Sequence, residues 1–288
     1  CPLKRSLVAD QVKQIIGIVN GTTNYIFTKM TEENLDLQEA LQQAQKLGFA
    51  EPDPSSDLEG RDALYKLVIM AGLAFGETVR PDQVYLEGIS AVTHQDIIYA
   101  NELGYAIKLL AIGEKLDKGI ALRVHPALVP HNHPLASVVN EFNAVFIVGE
   151  DVGDLMFYGR GAGAKPTATA ILADVAEGVL SVHNQTGLSL VEKVELCKEP
   201  VALAELRSRF YLRLLAEDRS GVFAALANIF AEEQVSIDMV IQKQRVGDTA
   251  EIVIVTHDVV EEAFNQAFQR VRQLDVVQPQ ISMIRLLA

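Results

Sequence analysis

The sequence predicts an α+β protein in two parts: a mixed sheet with helices over residues 1–190, and a smaller βαββαβ unit over residues 205–288. Two observations support this. Strand-like and helix-like segments are mixed in the first part without strict alternation, and the second part sets two amphipathic helical segments among four strand-like ones. A charged stretch, LVEKVELCKEP, connects the two parts.

The first part opens on a predicted strand in QVKQIIGIVNG, where β-branched residues run from about Val12 to Val19 and end at Asn-Gly. TTNYIFTKM is predicted as a short helix, and NLDLQEALQQAQKLG as a longer one that stops at Gly48. DALYKLVIMAGLAFG is helical and apolar on most faces, so we expect it to be buried. ANELGYAIKLLAIGEK is interpreted as a helix that leads into a strand, IALRVHPALVP and NAVFIVGE as strands, and GAKPTATAILADVAEGVLSVHN as a helix of about five to six turns.

The second part is predicted from periodicity alone. FYLRLLAED alternates as a strand, and RSGVFAALANIFAEEQV is an amphipathic helix. SIDMVIQKQ and AEIVIVTHD are strands on either side of the turn RVGDT, VEEAFNQAFQRVRQL is a second helix, and PQISMIRLL is a last strand. This order is the ferredoxin-like, split βαβ arrangement.

Composition excludes several classes of function. The chain has 288 residues, of which 49% are hydrophobic and 22% charged, as in folded proteins. A formal net charge of -13 argues against a nucleic-acid partner, because phosphate binding needs a basic face. No apolar run is long enough for a membrane span, and the first residues do not form a signal peptide. The two cysteines, Cys1 and Cys197, predict no disulfide framework and fit a cytoplasmic protein.

The stretch GFAEPDPSSDLEGRDALYK concentrates charge just before an apolar segment. It contains five carboxylates: Glu51, Asp53, Asp57, Glu59 and Asp62. Two prolines disfavour helix at its start, and Ser56 or Asp57 is a plausible helix cap. In a helix that begins there, Asp62 and Lys66 are four residues apart and lie on one face.

Two interpretations of this stretch remain open from spacing alone. It can be an exposed, acidic helix N-terminus that the helix dipole favours, which explains Asp57 and Glu59 but not Lys66 among its apolar neighbours. It can also be a polar pocket for a zwitterionic ligand. Carboxylates would hold an α-amino group, and the lysine would hold a hydroxyl or carboxylate group or transfer a proton.

GIVNGTTNYIFTKM, followed by GFAEPDPSSDLEGRDALYKLVIMAGLAFG, closely resembles the homoserine dehydrogenase family, and the resemblance continues through GRGAGAKPTATAILAD. It implies reversible hydride transfer between L-homoserine and L-aspartate 4-semialdehyde, with NADP or NAD as cofactor. It also implies that Glu51 contacts the substrate amino group and that Asp57 and Asp62 belong to the substrate pocket. Asp62 would position the substrate or a water molecule beside Lys66, which would transfer the proton at the homoserine hydroxyl.

The glycine-rich segment GRGAGA also has two interpretations. Taken alone it is a turn into a helix, because the preceding strand, βαβ unit and acidic residue of a dinucleotide-binding fingerprint are not evident. The resemblance implies instead that Gly161 and Gly163 contact the cofactor, where missing side chains permit close approach. It implies the same for Gly48.

The resemblance also implies what precedes this region in the family. Its members normally carry an N-terminal nucleotide-binding domain, a second active-site lysine and a monovalent-cation site, and we expect this sequence to lack all three. Independent turnover, and the choice between NAD and NADP, are therefore left open. No metal is predicted, because no cysteine or acid completes a zinc set with His125, His131 and His133.

The second part resembles an ACT domain, most closely in LLAEDRSGVFAALANIFAEEQVSIDMVIQ. Between its first strand and helix, backbone N–H groups can donate hydrogen bonds to a carboxylate, which makes Asp218, Gly221 and Val222 the candidate effector residues. A capped helix start without a ligand is the alternative. The resemblance implies inhibition by L-threonine, within threonine and methionine biosynthesis. ACT sheets commonly pair edge to edge, so we expect a homodimer or homotetramer.

Two other functions compete with a dehydrogenase. One is a non-catalytic regulator that binds amino acids through the ACT unit alone. The other is a metal-dependent hydrolase built on Glu51, Asp53, Asp57 and Asp62. The lysine among these carboxylates disfavours the hydrolase.

Overall fold

The computed structural model of the chain describes residue 3, residues 6–185 and residues 194–287. The predicted boundary at residue 190 and Cys1 lie outside these residues. Two compact units, which are not contiguous in sequence, make up the chain. Unit 1 comprises Cys1–Ser90, Leu109–His125 and Ser137–Pro200, and unit 2 comprises Ala91–Lys108, Pro126–Ala136 and Val201–Ala288. The division into domains 1–190 and 205–288 stays a prediction.

The described residues form helices and strands in a mixed order, which confirms the predicted α+β class. The helices are α1 (Gly21–Glu32), α2 (Leu37–Lys46), α3 (Ser55–Leu58), α4 (Arg61–Phe75), α5 (His94–Glu102), α6 (Ala164–His183), α7 (Val222–Glu232) and α8 (Glu261–Arg272). The strands are β1 (Val12–Ile18), β2 (Glu77–Thr78), β3 (Tyr85–Leu86), β4 (Tyr105–Leu116), β5 (Gly119–Pro130), β6 (Phe142–Gly149), β7 (Asp154–Arg160), β8 (Glu195–Leu196), β9 (Arg207–Glu217), β10 (Ile237–Val246), β11 (Thr249–Thr256), β12 (Val259–Val260) and β13 (Val277–Leu286).

The sheet of unit 1 is built around β1. This strand pairs antiparallel with β4 on one side and β6 on the other, so Ile16 lies opposite both Ile112 and Phe146. β7 continues the sheet antiparallel to β6, and β3 pairs parallel to β5. The β-branched residues that predicted β1 are buried in the centre of the sheet, as this position requires.

Helices α1 and α2 form where the sequence predicts them. The side chain of Asp36 caps α2 by accepting a hydrogen bond from the backbone of Glu39 at 2.8 Å, and the Glu39 side chain accepts one from Asp36 in return at 3.0 Å. Ala40, Leu41 and Ala44 form the buried face of this helix. The apolar spacing and the stop at Gly48 therefore predicted the element correctly.

The acidic stretch folds differently from the single helix that its spacing suggested. α3 follows Pro54, ends at Leu58 and is separated from α4 by Gly60, whose φ of +81° is left-handed. A Cβ atom at Gly60 would lie 3.0 Å from the Leu86 side chain, so a larger residue would be both strained and crowded. The break keeps Asp62 and Lys66 one turn apart, because both belong to α4.

The prediction that α4 is buried on most faces is wrong. Only one face is buried, through Ala63, Leu64, Leu67 and Ala71. Tyr65 and Ile69 are exposed large apolar residues, and 47% of the Lys66 side chain is exposed. Lys66 therefore lies at the edge of the apolar face and not inside it. At this edge, water or a ligand can reach its ammonium group.

Unit 2 contains the predicted βαββαβ order. Its four long strands lie in the order β10-β11-β9-β13, and each neighbouring pair is antiparallel. α7 and α8 contribute to one hydrophobic core with these strands, in which the rings of Phe210 and Phe264 stack at 3.6 Å. Both helices bury an apolar stripe, which is why their periodicity was readable in the sequence.

A buried ion network connects α5 with two strands of unit 2. The side chain of Asp96 is completely buried and accepts a hydrogen bond from Arg213 Nε at 2.7 Å. Arg213 also donates to Glu251 at 3.0 Å, and the Tyr99 hydroxyl donates to the same carboxylate at 2.6 Å. Burial, followed by the charge of Asp96, raises the pKa of Tyr211, whose hydroxyl donates to Asp96. One guanidinium thus pairs with two buried carboxylates, and neutral donors supply their other hydrogen bonds.

α6 has an unusual surface. None of its residues is buried, and it carries several exposed apolar side chains: Ile171, Leu172, Val175, Val179 and Leu180. No helix in the described parts of the chain is long and apolar enough to cross a bilayer.

Candidate active site

A cavity of about 430 Å³ lies within unit 1. It is formed by the start of α1, the turn after α2, the junction of α3 and α4, and the loop between β7 and α6. The structure brings together six of the candidate residues predicted from the sequence: Gly48, Asp57, Asp62, Lys66, Gly161 and Gly163. They come from two distant segments, residues 48–66 and 161–163, which spacing alone could not have joined.

Lys66 and Asp62 form the chemical centre of one wall. Lys66 Nζ donates to Asp62 Oδ2 at 2.7 Å and to the backbone carbonyl of Val19 at 3.0 Å. Because an ammonium group has three N–H donors, these contacts leave one for a ligand in the cavity. The carbonyl of Val19 lies directly after β1, so the sheet and α4 together fix the position of the nitrogen.

Asn20 joins the two carboxylates of this wall, and it was not among the residues predicted from the sequence. Its Nδ2 donates to Asp57 Oδ1 at 2.7 Å and to Asp62 Oδ2 at 2.9 Å. Its Oδ1 accepts from the backbone N–H of Thr23 at 2.9 Å and so caps α1. The available signal was an asparagine immediately before the helical segment, which is a preferred capping residue.

Glu51 does not reach this arrangement. It is exposed and is not among the residues that line the cavity. Its backbone carbonyl accepts a hydrogen bond from Gln45 Nε2 at 3.2 Å. The contact between Glu51 and a substrate amino group therefore stays a prediction from the family resemblance.

A second wall of the cavity follows β7, a strand that was not predicted from the sequence. Arg160 at the end of this strand forms an ion pair with Glu141 at 2.5 Å, and its guanidinium lies 4.9 Å from the centre of the Phe142 ring. Both charged residues line the cavity. The strand was missed in DLMFYGR because its aromatic residues favour a strand, whereas its glycine and its acid disfavour one.

The glycine-rich loop connects β7 to α6 and faces the same cavity. A Cβ atom on Gly161 would lie 2.0 Å from Asn143 Nδ2, so a larger residue here would require the Asn143 side chain or the loop to move. Gly163 precedes the first residue of α6, whose N-terminal N–H groups make this end of the cavity favourable for an anion. A strand does precede the loop, contrary to the expectation from its sequence. That strand is antiparallel to β6, which differs from a parallel βαβ fingerprint.

The lining therefore combines two kinds of surface. Asp57, Asp62 and Glu141 contribute carboxylates, whereas Lys66 and Arg160 contribute cations. An amine can be held by the carboxylates while a hydroxyl approaches the lysine, and an anionic group can approach the start of α6. Among the residues that the structure describes, no group of three or more His, Cys, Asp or Glu side chains could hold a metal ion.

Unit 2 contains a second cavity, of about 640 Å³, at the end of β9. Asp218 lines it and lies 3.3 Å from Arg245, which lines it too. Gly221 has a left-handed φ of +93° just before α7, and Val222 is the buried first residue of that helix. Neither of these two residues lines the cavity, so only Asp218 of the three predicted effector residues does.

Comparisons with known proteins agree on both parts of the chain. The family model described as homoserine dehydrogenase matches residues 1–176, and the ACT domain model matches residues 210–276. A homoserine dehydrogenase from Neisseria gonorrhoeae is 42% identical over 290 residues, which are 99% of this chain and 67% of the relative. The chain thus spans about two thirds of the length of this curated relative.

Two solved structures extend the comparison. The crystal structure of a homoserine dehydrogenase from Thiobacillus denitrificans has a TM-score of 0.92 and 38% identity, and the match covers 99% of this chain and 66% of that one. A hyperthermophilic archaeal homoserine dehydrogenase mutant in complex with NADPH has a TM-score of 0.53 and 29% identity, and covers 62% of this chain and 51% of that one.

Proposed function

The chain belongs to the homoserine dehydrogenase family, a family of oxidoreductases, and from this premise we propose that the unit 1 cavity binds L-homoserine for reversible oxidation to L-aspartate 4-semialdehyde. The observation that carries the proposal is the pair of Lys66 and Asp62 on the cavity wall, with their contact at 2.7 Å. It places a group that can exchange a proton beside a carboxylate, opposite a loop and helix start suited to phosphate.

Substrate binding is assigned to the carboxylates of the first wall. Asp57 and Asp62 attract the α-ammonium group of L-homoserine, and Lys66 receives its hydroxyl through the third N–H position. Glu51 is proposed as a further contact of the ammonium group, on the family resemblance alone. This arrangement orients the amino acid along the wall, with its reacting end at the lysine.

Lys66 is assigned the proton transfer. In the oxidation direction its neutral amine accepts the hydroxyl proton as the C–O bond becomes a carbonyl. In the reduction direction its ammonium group donates that proton to the carbonyl oxygen, and it stabilises the negative charge that develops there. Asp62 and the carbonyl of Val19 hold the nitrogen in place during both directions.

NAD or NADP supplies the hydride acceptor when it is bound. Gly48, Gly161 and Gly163 are the residues proposed to lie against it, and all three line the cavity. The fit rests on the second wall, where the glycine-rich loop of Gly161, Ala162 and Gly163 leads into the N-terminus of a 20-residue helix. The lining does not favour one of the two cofactors, and the NADPH complex is a property of the archaeal relative.

A pair of alanine variants tests the glycine-rich loop. We expect Gly161→Ala to raise KM for the cofactor or lower kcat/KM by on the order of 10- to 100-fold, because Asn143 and the loop must move apart and misplace the cofactor. Gly159→Ala is the matched control, since a Cβ atom at that position would have no other atom within 4 Å. Steady-state kinetics with varied cofactor would contradict the assignment if both variants behaved alike.

The proposed activity is tested on the protein as it is made in the cell. NAD⁺ or NADP⁺ reduction is followed with L-homoserine as substrate, with D-homoserine as the control, and L-homoserine binding to this chain is measured by calorimetry. Oxidation of the L-isomer alone supports the proposal. L-homoserine binding without oxidation under either cofactor would favour the alternative, a non-catalytic regulator that binds amino acids.

For unit 2 we propose an amino-acid effector site, with L-threonine as the effector and inhibition as its effect. Support comes from the ACT match and from the cavity that Asp218 lines at the end of β9. This activity would place the protein in threonine and methionine biosynthesis.

A homodimer or homotetramer is also proposed, because β10 is the edge strand of its sheet and can pair with a second copy. Sedimentation velocity tests that assembly. A cytoplasmic location is also proposed, and it rests on the low cysteine content.

The effector assignment predicts a local effect of charge. We expect L-threonine to inhibit L-homoserine oxidation, and Asp218→Ala to weaken this inhibition by about tenfold, because one partner of the effector ammonium group is lost. Asp258→Ala, an acid of the same unit that does not line the cavity, should leave the inhibition constant unchanged. Equal inhibition of both variants would remove Asp218 from the site, and absence of threonine binding by calorimetry would end the proposal.

A further inference from the structure

We propose that Asn20 is a positioning residue for the proton-transfer pair: its amide holds the carboxylates of Asp57 and Asp62 together and thereby keeps the Lys66 amine available as a base. This inference rests on the proposed function of the cavity. It assigns Asn20 a role beyond capping α1, and it concerns a residue that acts through its neighbours.

The orientation of the Asn20 amide is fixed by its surroundings. Its oxygen accepts from the backbone N–H of Thr23 at 2.9 Å and from the Thr23 hydroxyl at 3.0 Å. Only the oxygen of the Asn20 amide can accept a hydrogen bond from a backbone N–H. The NH₂ group of the amide must therefore face the other way. There it donates to Asp57 at 2.7 Å and to Asp62 at 2.9 Å. Asn20 is only 6% exposed, so this arrangement is packed in place.

The charges explain why this amide matters for the lysine. Two carboxylates that share one nitrogen as donor are close enough to repel each other. Lys66 already donates to Asp62, and Arg160, the other cation that lines the cavity, is paired with Glu141. If the amide N–H groups were absent, the ammonium of Lys66 would be the nearest compensation for both acids. A smaller fraction of Lys66 would then be the neutral amine, which is the form that accepts the hydroxyl proton.

Two substitutions separate this role from capping. Asn20→Ser and Asn20→Asp each retain a side-chain oxygen that can cap α1, but neither offers the two N–H donors. We expect kcat for L-homoserine oxidation to fall about tenfold in Asn20→Ser and further in Asn20→Asp, which adds a third carboxylate. KM for L-homoserine is measured as well, because Asp57 and Asp62 are also the proposed partners of the substrate ammonium group; a change in KM with an unchanged kcat would assign Asn20 to binding and overturn the inference. Asp36→Ser, a change at the cap of α2, is the control and should match wild type.

A second measurement does not depend on turnover. The rate of acetylation of Lys66 by acetic anhydride is measured by peptide mapping, relative to that of the exposed Lys46 in the same molecule. We expect this ratio to fall about threefold or more in Asn20→Ser, and about tenfold or more in Asn20→Asp. Asp36→Ser should leave the ratio unchanged.

The outcomes are distinct. A wild-type protein that does not oxidise L-homoserine would refute the proposed function, while the labelling ratio would still decide the role of Asn20. Ratios equal to wild type in both variants would overturn the inference. It would be overturned as well if melting temperatures dropped and all lysines reacted faster, because that result would mean a structural role only.

Discussion

Replacing Lys66 by alanine is expected to lower kcat for L-homoserine oxidation by about 10²- to 10⁴-fold, the usual contribution of a positioned acid–base group. The alanine variant leaves the substrate hydroxyl without a proton acceptor at the position where Nζ now contacts Asp62 and the Val19 carbonyl. The fold should be preserved, because the Lys66 side chain is 47% exposed and lies at the edge of the apolar face of α4. Stopped-flow measurement of cofactor reduction gives the rate of the chemical step directly.

Two further variants make the result interpretable. Lys66→Arg keeps a positive charge but cannot lose its proton at usable pH, so it should be nearly as slow as the alanine variant. Lys46→Ala removes an exposed lysine at the end of α2 that does not line the cavity, and its rate should equal that of wild type. Near-normal kcat in Lys66→Arg would mean that the residue supplies charge only. Near-normal kcat in Lys66→Ala would mean that another group transfers the proton.

Replacing Arg213 by methionine is expected to lower the free energy of unfolding by about 3–5 kcal/mol, the cost of breaking a buried ion pair from one side. Asp96 is completely buried and Glu251 nearly so, and both accept hydrogen bonds from this guanidinium. Without it, two carboxylates would stay in a site of low dielectric with only neutral donors as partners. Urea unfolding, followed by circular dichroism and fitted to two states, measures the change.

The comparison that isolates burial is Arg207→Met on the same strand. Arg207 pairs with Asp258 at the surface, where more than half of each side chain is exposed, so its loss should cost less than about 1 kcal/mol. Adding Asp96→Asn and Glu251→Gln to Arg213→Met should recover part of the lost stability, because the uncompensated charges disappear. Equal effects of Arg213→Met and Arg207→Met would show that the network is not held by buried charge.

Sequence periodicity was sufficient for most elements, and its failures have local causes. β1, α2 and the order of unit 2 followed from apolar spacing, because each of these elements buries one clear face. The break at Gly60 was missed because a left-handed glycine leaves no mark on periodicity. The exposure of Tyr65 and Ile69 was missed because an apolar sequence does not say which face is covered.

The candidate site, too, could be predicted from the sequence only in part. Asp62 and Lys66 could be placed together from spacing, since a helix alone brings them within contact. Their meeting with Asn20 and with the loop of Gly161 depends on the packing of α1 and β7 against other parts of unit 1, which spacing does not encode. Asn143 lies in a predicted strand whose pattern carried no functional signal, and Arg160 was not singled out within the glycine-rich segment; only the fold brings both to the cavity.

The interruption of the chain at Gly60 separates two tasks between two short helices. In one continuous helix, residues five positions apart differ by about 140° around the axis, so Asp57 and Asp62 could not face the same amide. The left-handed residue lets α3 and α4 take different directions and point both carboxylates inward. As a result, the helical pitch of α4 alone sets the spacing of Asp62 and Lys66, while the position of Asp57 is set separately, on the other side of the left-handed turn.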